Sequence, residues 1–388
     1  PTAPRGGTEL ESYPGKLGRL AIPMNPPHTI LVIVMRRIGD VLLSTPLIRS
    51  LRCAWPKASV DALVFEGTEG ILAANPDIRR VLTVREGSPA AVHLQTLRDV
   101  CRRYDLALST QPGDRPTVYA WAAGRKRLGV LEAGPKQWWK RLLLSDWVLF
   151  DNVYTHTVTT NLGLAALLGI EKRCEVVVSW KPDDEAHIAG LVPFDPLRVP
   201  YAVLHLFPMF PYKQWHREGW LTLCRWLADR GLHVVLTGGP GAEEKAYADA
   251  VASSEADRIV NLVGRIDLPG TGALLSRTRL YVGTDTVITH MAAALGVPTV
   301  ALFGPSNPVK WGPWPKGYCR EGSPYVMRGT QRAGNVILLQ GNGECVPCRE
   351  EGCDRHIGSF SRCLLELSAD EVIRAVEEGL GAREAAGG

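Results

Sequence analysis

Long apolar runs are missing from this sequence. No stretch approaches the roughly 18 apolar residues that a membrane-spanning helix requires, so we expect no membrane span. Residues 1–27 are rich in proline and glycine and lack the apolar core of a signal peptide. We therefore interpret residues 1–27 as a flexible N-terminal arm ahead of the first domain.

A strong charge of either sign is also missing, because the net charge of the 388 residues is only +4. A charge this small does not indicate a partner that is bound through bulk charge, as nucleic acids are. The nine cysteines are too few for a disulfide scaffold in a chain of this length. Five of them are scattered along the chain: Cys53, Cys101, Cys174, Cys224 and Cys319. We therefore expect a reduced, cytoplasmic protein.

The sequence does contain an alternation of strand and helix patterns from Thr29 onward, which is typical of parallel sheets covered by helices on both faces. An apolar share of 45% is enough for two cores. We predict an α/β protein with two Rossmann-like, doubly wound domains at residues 28–190 and 191–368, and with the active site in the cleft between them. Residues 182–200 are the predicted linker, and the final helix and tail, 369–388, are expected to pack back on the first domain.

A strand, a tight turn and a helix N-terminus follow one another from Leu280 to Leu295. The free N–H groups at the helix start form a natural anion site. Asp285 in the turn would repel a bare phosphate but suits a sugar hydroxyl, so the turn favours a sugar nucleotide. Alternatively, Asp285 or Thr286 caps the helix, and the local pattern does not separate these two interpretations.

A second turn follows the first predicted strand. Gly39 permits a tight turn, and Asp40 begins a helix that is predicted to run to Ala54, with Pro46 in or near its first turn. A carboxylate at this place would face the cleft between the domains and could accept a proton from an attacking hydroxyl. The alternative is again a helix cap.

Together, these motifs resemble glycosyltransferase family 9, the bacterial heptosyltransferases that build the lipopolysaccharide inner core. The first-domain match, within residues 30–51, is Arg-x-x-Gly-Asp-Val-Leu-Leu-Ser-Thr-Pro, and it is most similar to the heptosyltransferase III type. The second-domain match covers residues 283–308 and includes the Phe-Gly-Pro-Ser sequence at 303–306. Residues 213–215 resemble the family's Lys-x-Trp segment, and residues 238–244 resemble its glycine-rich turn with acidic residues.

The resemblance implies a GT-B fold and inverting transfer of a heptose from ADP-heptose to the lipopolysaccharide core, with no cofactor required for catalysis. Asp40 matches the family's catalytic aspartate, which acts as the general base. The residues implied to bind the donor are Lys213, Glu243 or Glu244, Thr284, Asp285, Thr286, Val287 and His290. Without the resemblance, Lys213 would be interpreted as a solvated surface lysine and His290 as a packed core residue. No Asp-x-Asp metal motif lies near this site, which agrees with stabilisation of the leaving ADP by protein groups.

Residues 115–142 carry seven basic side chains and only one acidic side chain, with tryptophans between them. The dense parts are Arg125, Lys126 and Arg127, followed by Lys136, Trp138, Trp139, Lys140 and Arg141. Such a segment suits acceptor phosphates or an anionic membrane surface, which would make the protein peripheral on the inner face of the cytoplasmic membrane. The alternatives are a solvated basic face with core tryptophans, or single-stranded nucleic acid. Given the family resemblance, we do not expect nucleic acid as a partner.

Four further cysteines form a C-x2-C-x4-C-x9-C pattern within residues 345–363: Cys345, Cys348, Cys353 and Cys363. A tight Cys-x-x-Cys turn can direct two thiolates at one ion, and the other two could complete a tetrahedral site. We therefore predict a structural metal, with zinc as the first candidate and iron as the second. The alternative is a set of free or oxidised thiols.

Other activities fit parts of the pattern. A protein O-heptosyltransferase that acts on autotransporters would keep the chemistry and change the acceptor, and the cysteine cluster favours it slightly. A GT-B nucleotide-sugar epimerase would need no acceptor platform, so the basic tryptophan segment argues against it. A binding protein without activity would not need Asp40, Lys213 and Asp285 together.

Overall fold

The computed structural model describes residues 25–253 and 258–387, and it describes no side chains in 382–387. The predicted N-terminal arm, residues 1–27, lies outside the described residues except for its last three positions. Two mostly parallel sheets with helices packed against them confirm the predicted α/β class.

The first sheet has six strands, all parallel, in the order β3-β2-β1-β4-β5-β6. These strands are β1 (Thr29–Val34), β2 (Ser59–Phe65), β3 (Arg80–Val84), β4 (Tyr104–Ser109), β5 (Gly124–Leu131) and β6 (Asp146–Leu149). Residues 30–34 of β1 are completely buried, because a parallel sheet is covered on both faces. The carboxyl ends of β1 and β4, which are neighbours in the sheet, therefore meet at one edge of the first domain.

Helices cover both faces of this sheet. One face carries α1 (Ile38–Leu42), α2 (Thr45–Ala54) and α6 (Thr157–Leu167), and the other carries α3 (Ala90–Val100), α4 (Asp114–Ala123) and α5 (Trp138–Leu143). The basic tryptophan segment, residues 115–142, therefore forms most of α4, the whole of β5 and most of α5. Sequence reasoning assigned no elements to this segment, because its basic residues interrupt the apolar periodicity.

The predicted single helix from Asp40 to Ala54 is in fact two helices, α1 and α2. The break lies at Leu43 and Ser44, so that Pro46 occupies the first turn of α2. Proline has no N–H group to donate, and at the start of a helix this costs nothing. The break also lets the Ser44 hydroxyl donate to the Val41 carbonyl, at 2.7 Å.

The second sheet has seven strands in the order β12-β13-β11-β10-β7-β8-β9, and its one antiparallel pairing is between β12 and β13. The strands are β7 (Tyr201–His205), β8 (His233–Thr237), β9 (Ile259–Asn261), β10 (Leu280–Thr284), β11 (Thr299–Phe303), β12 (Gln331–Ala333) and β13 (Val336–Gln340). The helices that follow α6 are α7 (Pro182–Leu191), α8 (Arg217–Asp229), α9 (Ala242–Ala252), α10 (Leu268–Arg277), α11 (Val287–Leu295), α12 (Pro308–Trp311), α13 (Arg362–Leu365) and α14 (Ala369–Gly387). Among the described helices, none is both long enough and apolar enough to cross a bilayer.

Two segments differ from the sequence expectation at the domain boundary. The predicted linker contains α7, which packs against α10 of the second domain. The helix starts with Pro182 and three acidic residues, a pattern that favours a helix N-terminus.

The C-terminal helix α14 buries Val372, Ala375 and Val376 in the core of the second sheet. In its described part it therefore packs on the second domain, where sequence reasoning expected contact with the first.

The expectation that the scattered cysteines are all reduced is also wrong. Cys174 and Cys319 form a disulfide with a Cα–Cα distance of 5.3 Å, although 145 residues separate them in sequence. The indole of Trp314 donates to the Cys174 carbonyl at 2.9 Å, which holds the same two segments together. A pairing over this separation depends on the tertiary fold, and spacing along the chain cannot indicate it.

A buried acidic side chain links three strands of the first sheet. Asp61 of β2 is completely buried and accepts hydrogen bonds from Arg79 at 2.7 and 2.9 Å, from Arg80 at 2.8 Å and from the Tyr104 hydroxyl at 2.7 Å. Burial alone would raise the pKa of Asp61, but these donors hold the pKa below its usual range. A depressed carboxyl pKa stabilises the fold at neutral pH and loses this contribution as the pH falls through it.

We expect Asp61→Asn to lower the free energy of unfolding by roughly 2–3 kcal/mol at pH 7, because two guanidinium groups lose their charged partner. The difference from the wild-type chain should shrink as the pH falls below about 4, where an unfolded aspartate protonates. Urea denaturation between pH 3 and 7 measures both effects. Glu86→Gln, which changes an exposed acidic residue, is the control. A pH-independent loss would contradict the charged role of Asp61.

Candidate functional site

The residue that the family resemblance assigns as the general base, Asp40, lies at the edge where β1 and β4 end, and its surroundings are called the acceptor-side centre after that expectation. Asp40, in α1, is 5% exposed and lines a small pocket between the domains. The first domain also contributes Arg36, Thr110, Gln111, Phe150, Thr157, Thr160 and Asn161 to the pocket lining, and the second domain contributes Lys310 and Trp311. Most of these groups are polar, so the pocket suits a hydroxylated ligand.

The carboxylate of Asp40 is buried without a close ionic partner. The nearest is Arg36, whose Nε lies 3.9 Å from Oδ2 and whose side chain is mostly exposed. Burial raises the pKa of Asp40 to about 6, although the charges of Arg36, Lys310 and Lys213 and a hydrogen bond from the Arg37 backbone act in the opposite direction. A carboxylate with a pKa near 6 is ionised at neutral pH and is a better proton acceptor than an ordinary aspartate.

The residues that the resemblance assigns to the donor, called the donor side after that expectation, lie across the cleft and include an ion pair. Lys213 Nζ lies 2.6 Å from Asp285 Oδ2, and the Ser306 hydroxyl donates to the same oxygen at 2.7 Å. Burial alone would raise the pKa of Asp285, but Lys213, His290 and Ser306 hold it below its usual range. The helix-capping alternative for Asp285 therefore does not fit, because its carboxylate is directed at Lys213 and Ser306. Sequence reasoning placed both residues in the site and did not anticipate that they pair.

The first turn of α11 supplies the remaining groups of the donor side. Thr286 is the N-cap residue and has extended backbone angles, so the N–H groups that follow it, including that of Val287, begin the helix. Within the described part of the chain, the Thr284 hydroxyl and Nδ1 of His290 are buried without a hydrogen-bond partner. Burial lowers the pKa of His290 to about 4, although Asp285 acts in the opposite direction. The ring is therefore neutral at pH 7 and can accept a hydrogen bond from a ligand.

The two centres meet at the start of α1. A Cβ atom at Gly39 would lie 4.0 Å from Cδ2 of His290, so the donor helix α11 touches the turn that carries Asp40. The guanidinium of Arg37 lies 5.6 Å from the centre of the Phe210 ring, which stacks on Tyr212 beside Lys213. The structure thus brings Asp40, Lys213, Asp285 and His290 to one cleft.

The glycine-rich turn after β8 distinguishes the two candidate glutamates. Glu243 is exposed, whereas Glu244 folds back over the turn and accepts a hydrogen bond from the Gly239 backbone. Added Cβ atoms at Gly238 and Gly239 would approach the Glu244 carboxylate to within 3 Å, so this carboxylate lies directly against the turn. Burial raises the pKa of Glu244. This geometry favours Glu244 over Glu243 as the acidic residue of the turn.

The basic tryptophan segment is only partly available to a ligand. Lys140 is 4% exposed, and its ammonium group binds the Pro112 carbonyl at 2.6 Å and Asp114 at 2.7 Å. Its prediction as a surface contact is therefore wrong, because the ammonium fastens α5 to the loop after β4. The exposed members are Arg125, Lys136, Trp138 and Arg141, whereas Lys126, Arg127 and Trp139 are half-buried. The segment adjoins the pocket, since the loop after β4 also carries Gln111.

The cysteine cluster does not form the predicted metal site. Burial and the neighbouring Cys348, Cys353 and Cys345 raise the pKa of Cys363 to about 12, so the four sulfur atoms share one region. They do not converge, however: across residues 25–253 and 258–387, no three His, Cys, Asp or Glu side chains are arranged to hold an ion. The segment instead supports the donor side. The Ser361 hydroxyl donates to the Tyr212 carbonyl at 2.7 Å, and the Arg349 N–H donates to the Pro305 carbonyl at 2.9 Å.

Sequence reasoning missed all of the polar groups that line the pocket beside Asp40, and three of them stand out. Lys310 is 1% exposed, Asn161 is 1% exposed with a buried Oδ1 that lacks a partner in the described residues, and Arg36 lies one turn before Asp40. A signal for Lys310 was present, because it is a lone lysine within the apolar sequence Pro-Val-Lys-Trp at 308–311, and apolar segments are the ones most often buried. Asn161 could also have been noticed as an amide within the apolar pattern of α6.

Comparison with known proteins shows which family the chain belongs to. The sequence model of glycosyltransferase family 9 (heptosyltransferase) matches residues 93–325, which is more than half of the chain. The chain belongs to this family. It is therefore a glycosyltransferase, and family membership does not support the epimerase alternative.

Individual relatives of this family 9 glycosyltransferase have closely matching lengths. Lipopolysaccharide heptosyltransferase 3 of Escherichia coli K12 is 28% identical over 358 residues, which cover 89% of this chain and 96% of that protein. The structure of E. coli ADP-heptose lipopolysaccharide heptosyltransferase II aligns with a TM-score of 0.69 and 20% identity, covering 92% of this chain and 99% of that one. E. coli heptosyltransferase WaaC with ADP-2-deoxy-2-fluoro heptose aligns with a TM-score of 0.67 and 20% identity over 90% and 99% of the two chains. These structures confirm the GT-B fold.

The Lys213–Asp285 pair predicts a strong energetic coupling. Lys213→Met and Asp285→Asn should each destabilise the family 9 glycosyltransferase, because each leaves a charge in the cleft without its partner. The double variant should lose less than the sum of the two, with a coupling of about 1–3 kcal/mol. Urea denaturation of the four proteins measures it. The control is the same double-mutant cycle at the half-exposed pair Arg230–Glu377, whose Nη2 and Oε1 atoms lie 3.0 Å apart. This pair should show a much smaller coupling. Additive effects at both pairs would mean that the pair in the cleft does not interact.

Proposed function

We propose that this glycosyltransferase transfers a heptose from ADP-heptose to the inner core of lipopolysaccharide by inverting displacement, and that Asp40 is the general base. The observation that carries the proposal is the buried Asp40 carboxylate, with a pKa of about 6, in a polar pocket opposite the Lys213–Asp285 pair. The names of the E. coli relatives supply the sugar and the acceptor class.

The proposed reaction is a single displacement. An acceptor hydroxyl in the pocket attacks the anomeric carbon of the heptose as the bond to the ADP oxygen breaks, and Asp40 takes the hydroxyl proton. Burial of Asp40 supports this role, because a carboxylate that is solvated less than usual holds the proton more tightly. Asn161 and the hydroxyl groups of Thr157 and Thr160 are in position to orient the acceptor sugar.

On the donor side, we propose that the ADP-sugar binds at the start of α11. Lys213 and the N–H groups of Thr286 and Val287 would stabilise the charge that develops on the leaving diphosphate. Asp285, Thr284 and His290 would bind hydroxyl groups of the sugar, because the Asp285 carboxylate accepts hydrogen bonds and, among the described residues, the Thr284 hydroxyl and Nδ1 of His290 have no partner. Glu244 would lie near the nucleoside, beside the glycine-rich turn.

We further propose that α5 faces the acceptor lipid and an anionic membrane surface. Trp138 is 63% exposed and Leu142 is 74% exposed, and Lys136 and Arg141 are exposed on the same segment. Apolar and cationic side chains together are typical of a surface that binds anionic headgroups. The protein would then act as a peripheral enzyme on the inner face of the cytoplasmic membrane.

The decisive experiment is product analysis. Purified protein is incubated with ADP-heptose and a series of truncated lipopolysaccharides, and the products are identified by mass spectrometry and by the anomeric coupling in NMR spectra. We expect one heptose to be added to one truncated core, with inverted configuration. Transfer to no core in the series, or transfer only to a protein hydroxyl, would refute the proposed acceptor.

Asp40→Asn tests the base. The amide keeps the shape of the side chain, so calorimetric affinity for ADP should stay within about twofold of the wild-type value. Transfer should fall by about 10²–10⁴-fold, the usual contribution of a positioned proton acceptor. In the wild-type enzyme, kcat/KM should rise as the pH increases through about 6, where Asp40 becomes ionised. Turnover of Asp40→Asn within a few-fold of wild type would exclude the base role.

Membrane contact is tested with vesicles of phosphatidylcholine containing phosphatidylglycerol. Lys136→Glu and Arg141→Glu should each weaken binding by about fivefold or more, since one basic residue near an anionic surface contributes about 1 kcal/mol. Trp138→Ala should weaken binding to the same vesicles at high salt as well, because its contribution is apolar. Leu197→Ala changes another exposed apolar residue outside the basic segment and is the control. Equal binding of all variants would refute this surface.

A further inference from the structure

A short segment of the second domain is clamped onto the first domain beside Asp40. We call residues 307–312 and 150–157 together the inter-domain clamp. Asn307 donates to the Val153 carbonyl at 2.8 Å, the His156 ring donates through Nε2 to the Gly312 carbonyl at 2.8 Å, and the Thr157 hydroxyl donates to the Lys310 carbonyl at 3.3 Å. The clamp fixes the backbone of α12 against the turn between β6 and α6.

The clamp buries the side chain of Lys310 between the domains. Its ammonium group donates to the Asp151 carbonyl at 3.0 Å and lies 4.3 Å from the centre of the Phe150 ring. Burying an ammonium costs free energy unless opposite charge compensates it. The Asp151 carboxylate accepts hydrogen bonds from the backbone of Val153 and Tyr154 and from the Thr155 hydroxyl, so this carboxylate already has donors of its own.

The second carboxylate that faces Lys310 is Asp40, across the pocket that both residues line. The other cations that act on Asp40 are less suited to stabilise it. The Arg36 side chain is 57% exposed, so solvent screens its charge, and Lys213 is held by Asp285. His156 is buried, and burial lowers its pKa to about 3, so it adds no charge at neutral pH.

We propose that Lys310 is a positioning residue that the second domain places beside Asp40, so that docking of the two domains stabilises the ionised form of the base. The proposal rests on the proposed role of Asp40. Separation of the domains at the clamp would remove the cation and its stabilisation of the Asp40 carboxylate. Base ionisation is thereby coupled to closure of the cleft. Burial lowers the pKa of Lys310 to about 8, so most molecules carry both charges of the Lys310–Asp40 pair near pH 7, midway between the two pKa values.

The test is a titration of the Asp40 carboxyl by ¹³C NMR, assigned by its absence in Asp40→Asn. In Lys310→Met and Lys310→Gln, the Asp40 titration midpoint should move upward by about one pH unit, the size expected for loss of a unit charge across a pocket at an effective dielectric constant near 20. The acidic limb of kcat/KM should move with it. Lys310→Arg keeps the charge and should restore the wild-type midpoint. Lys316→Met removes an exposed lysine six positions along the chain and should change nothing.

The wild-type protein provides a further check, which does not depend on the folding of any variant. Its Asp40 carboxyl signal should show a second, smaller inflection near pH 8, where Lys310 loses its proton, and this inflection should be absent in Lys310→Arg. An unchanged Asp40 midpoint in the neutral variants, or a wild-type signal without the second inflection, would overturn the proposal. The NMR titration does not depend on turnover. A failure to find heptose transfer would therefore refute the proposed function while leaving the Lys310 effect measurable.

Discussion

The arrangement of the cleft depends on the burial of two carboxylates that are compensated in different ways. Asp285 contacts Lys213 and Ser306 directly, and its pKa stays below the usual range despite burial. Asp40 has cations only at longer range, and burial raises its pKa to about 6. One carboxylate is thus kept as a permanent charge and the other is able to gain and lose a proton. The same residue type serves two purposes because the surroundings separate the two pKa values.

Sequence reasoning succeeded where local chemistry decides the structure. The helix from Val287 to Leu295 and the strand from Thr299 to Phe303 have the predicted bounds, because Gly296 and Pro298 punctuate them. It failed where distant residues decide. The Lys213–Asp285 pair joins positions 72 residues apart, and neither partner indicates the other along the chain. Lys140 shows the same limit, since its charge predicted a surface position and the loop after β4 buries it.

The cysteine-rich segment, residues 345–363, is structurally important, but the metal site predicted from its spacing is not what the structure shows. The spacing of its four cysteines predicted a metal, whereas the structure uses the segment as a support for the donor side. Its backbone and Ser361 hold the Pro305 and Tyr212 loops, which carry Ser306 and Lys213 next to Asp285. Positions of donor-side groups therefore depend on a segment that contacts these two loops. Side-chain spacing could not reveal this, because the contacts are made largely by backbone atoms.

The Cys174–Cys319 disulfide closes a covalent ring around the middle of the chain. The ring contains α7, all of α8 to α12 and strands β7 to β11, whereas β12, β13 and α14 complete the second sheet from outside it. A single cut anywhere inside the ring therefore leaves the two fragments joined as one molecule until the disulfide is reduced. The second domain is in this sense covalently circular at its core, and two strands that lie outside the circle complete its sheet.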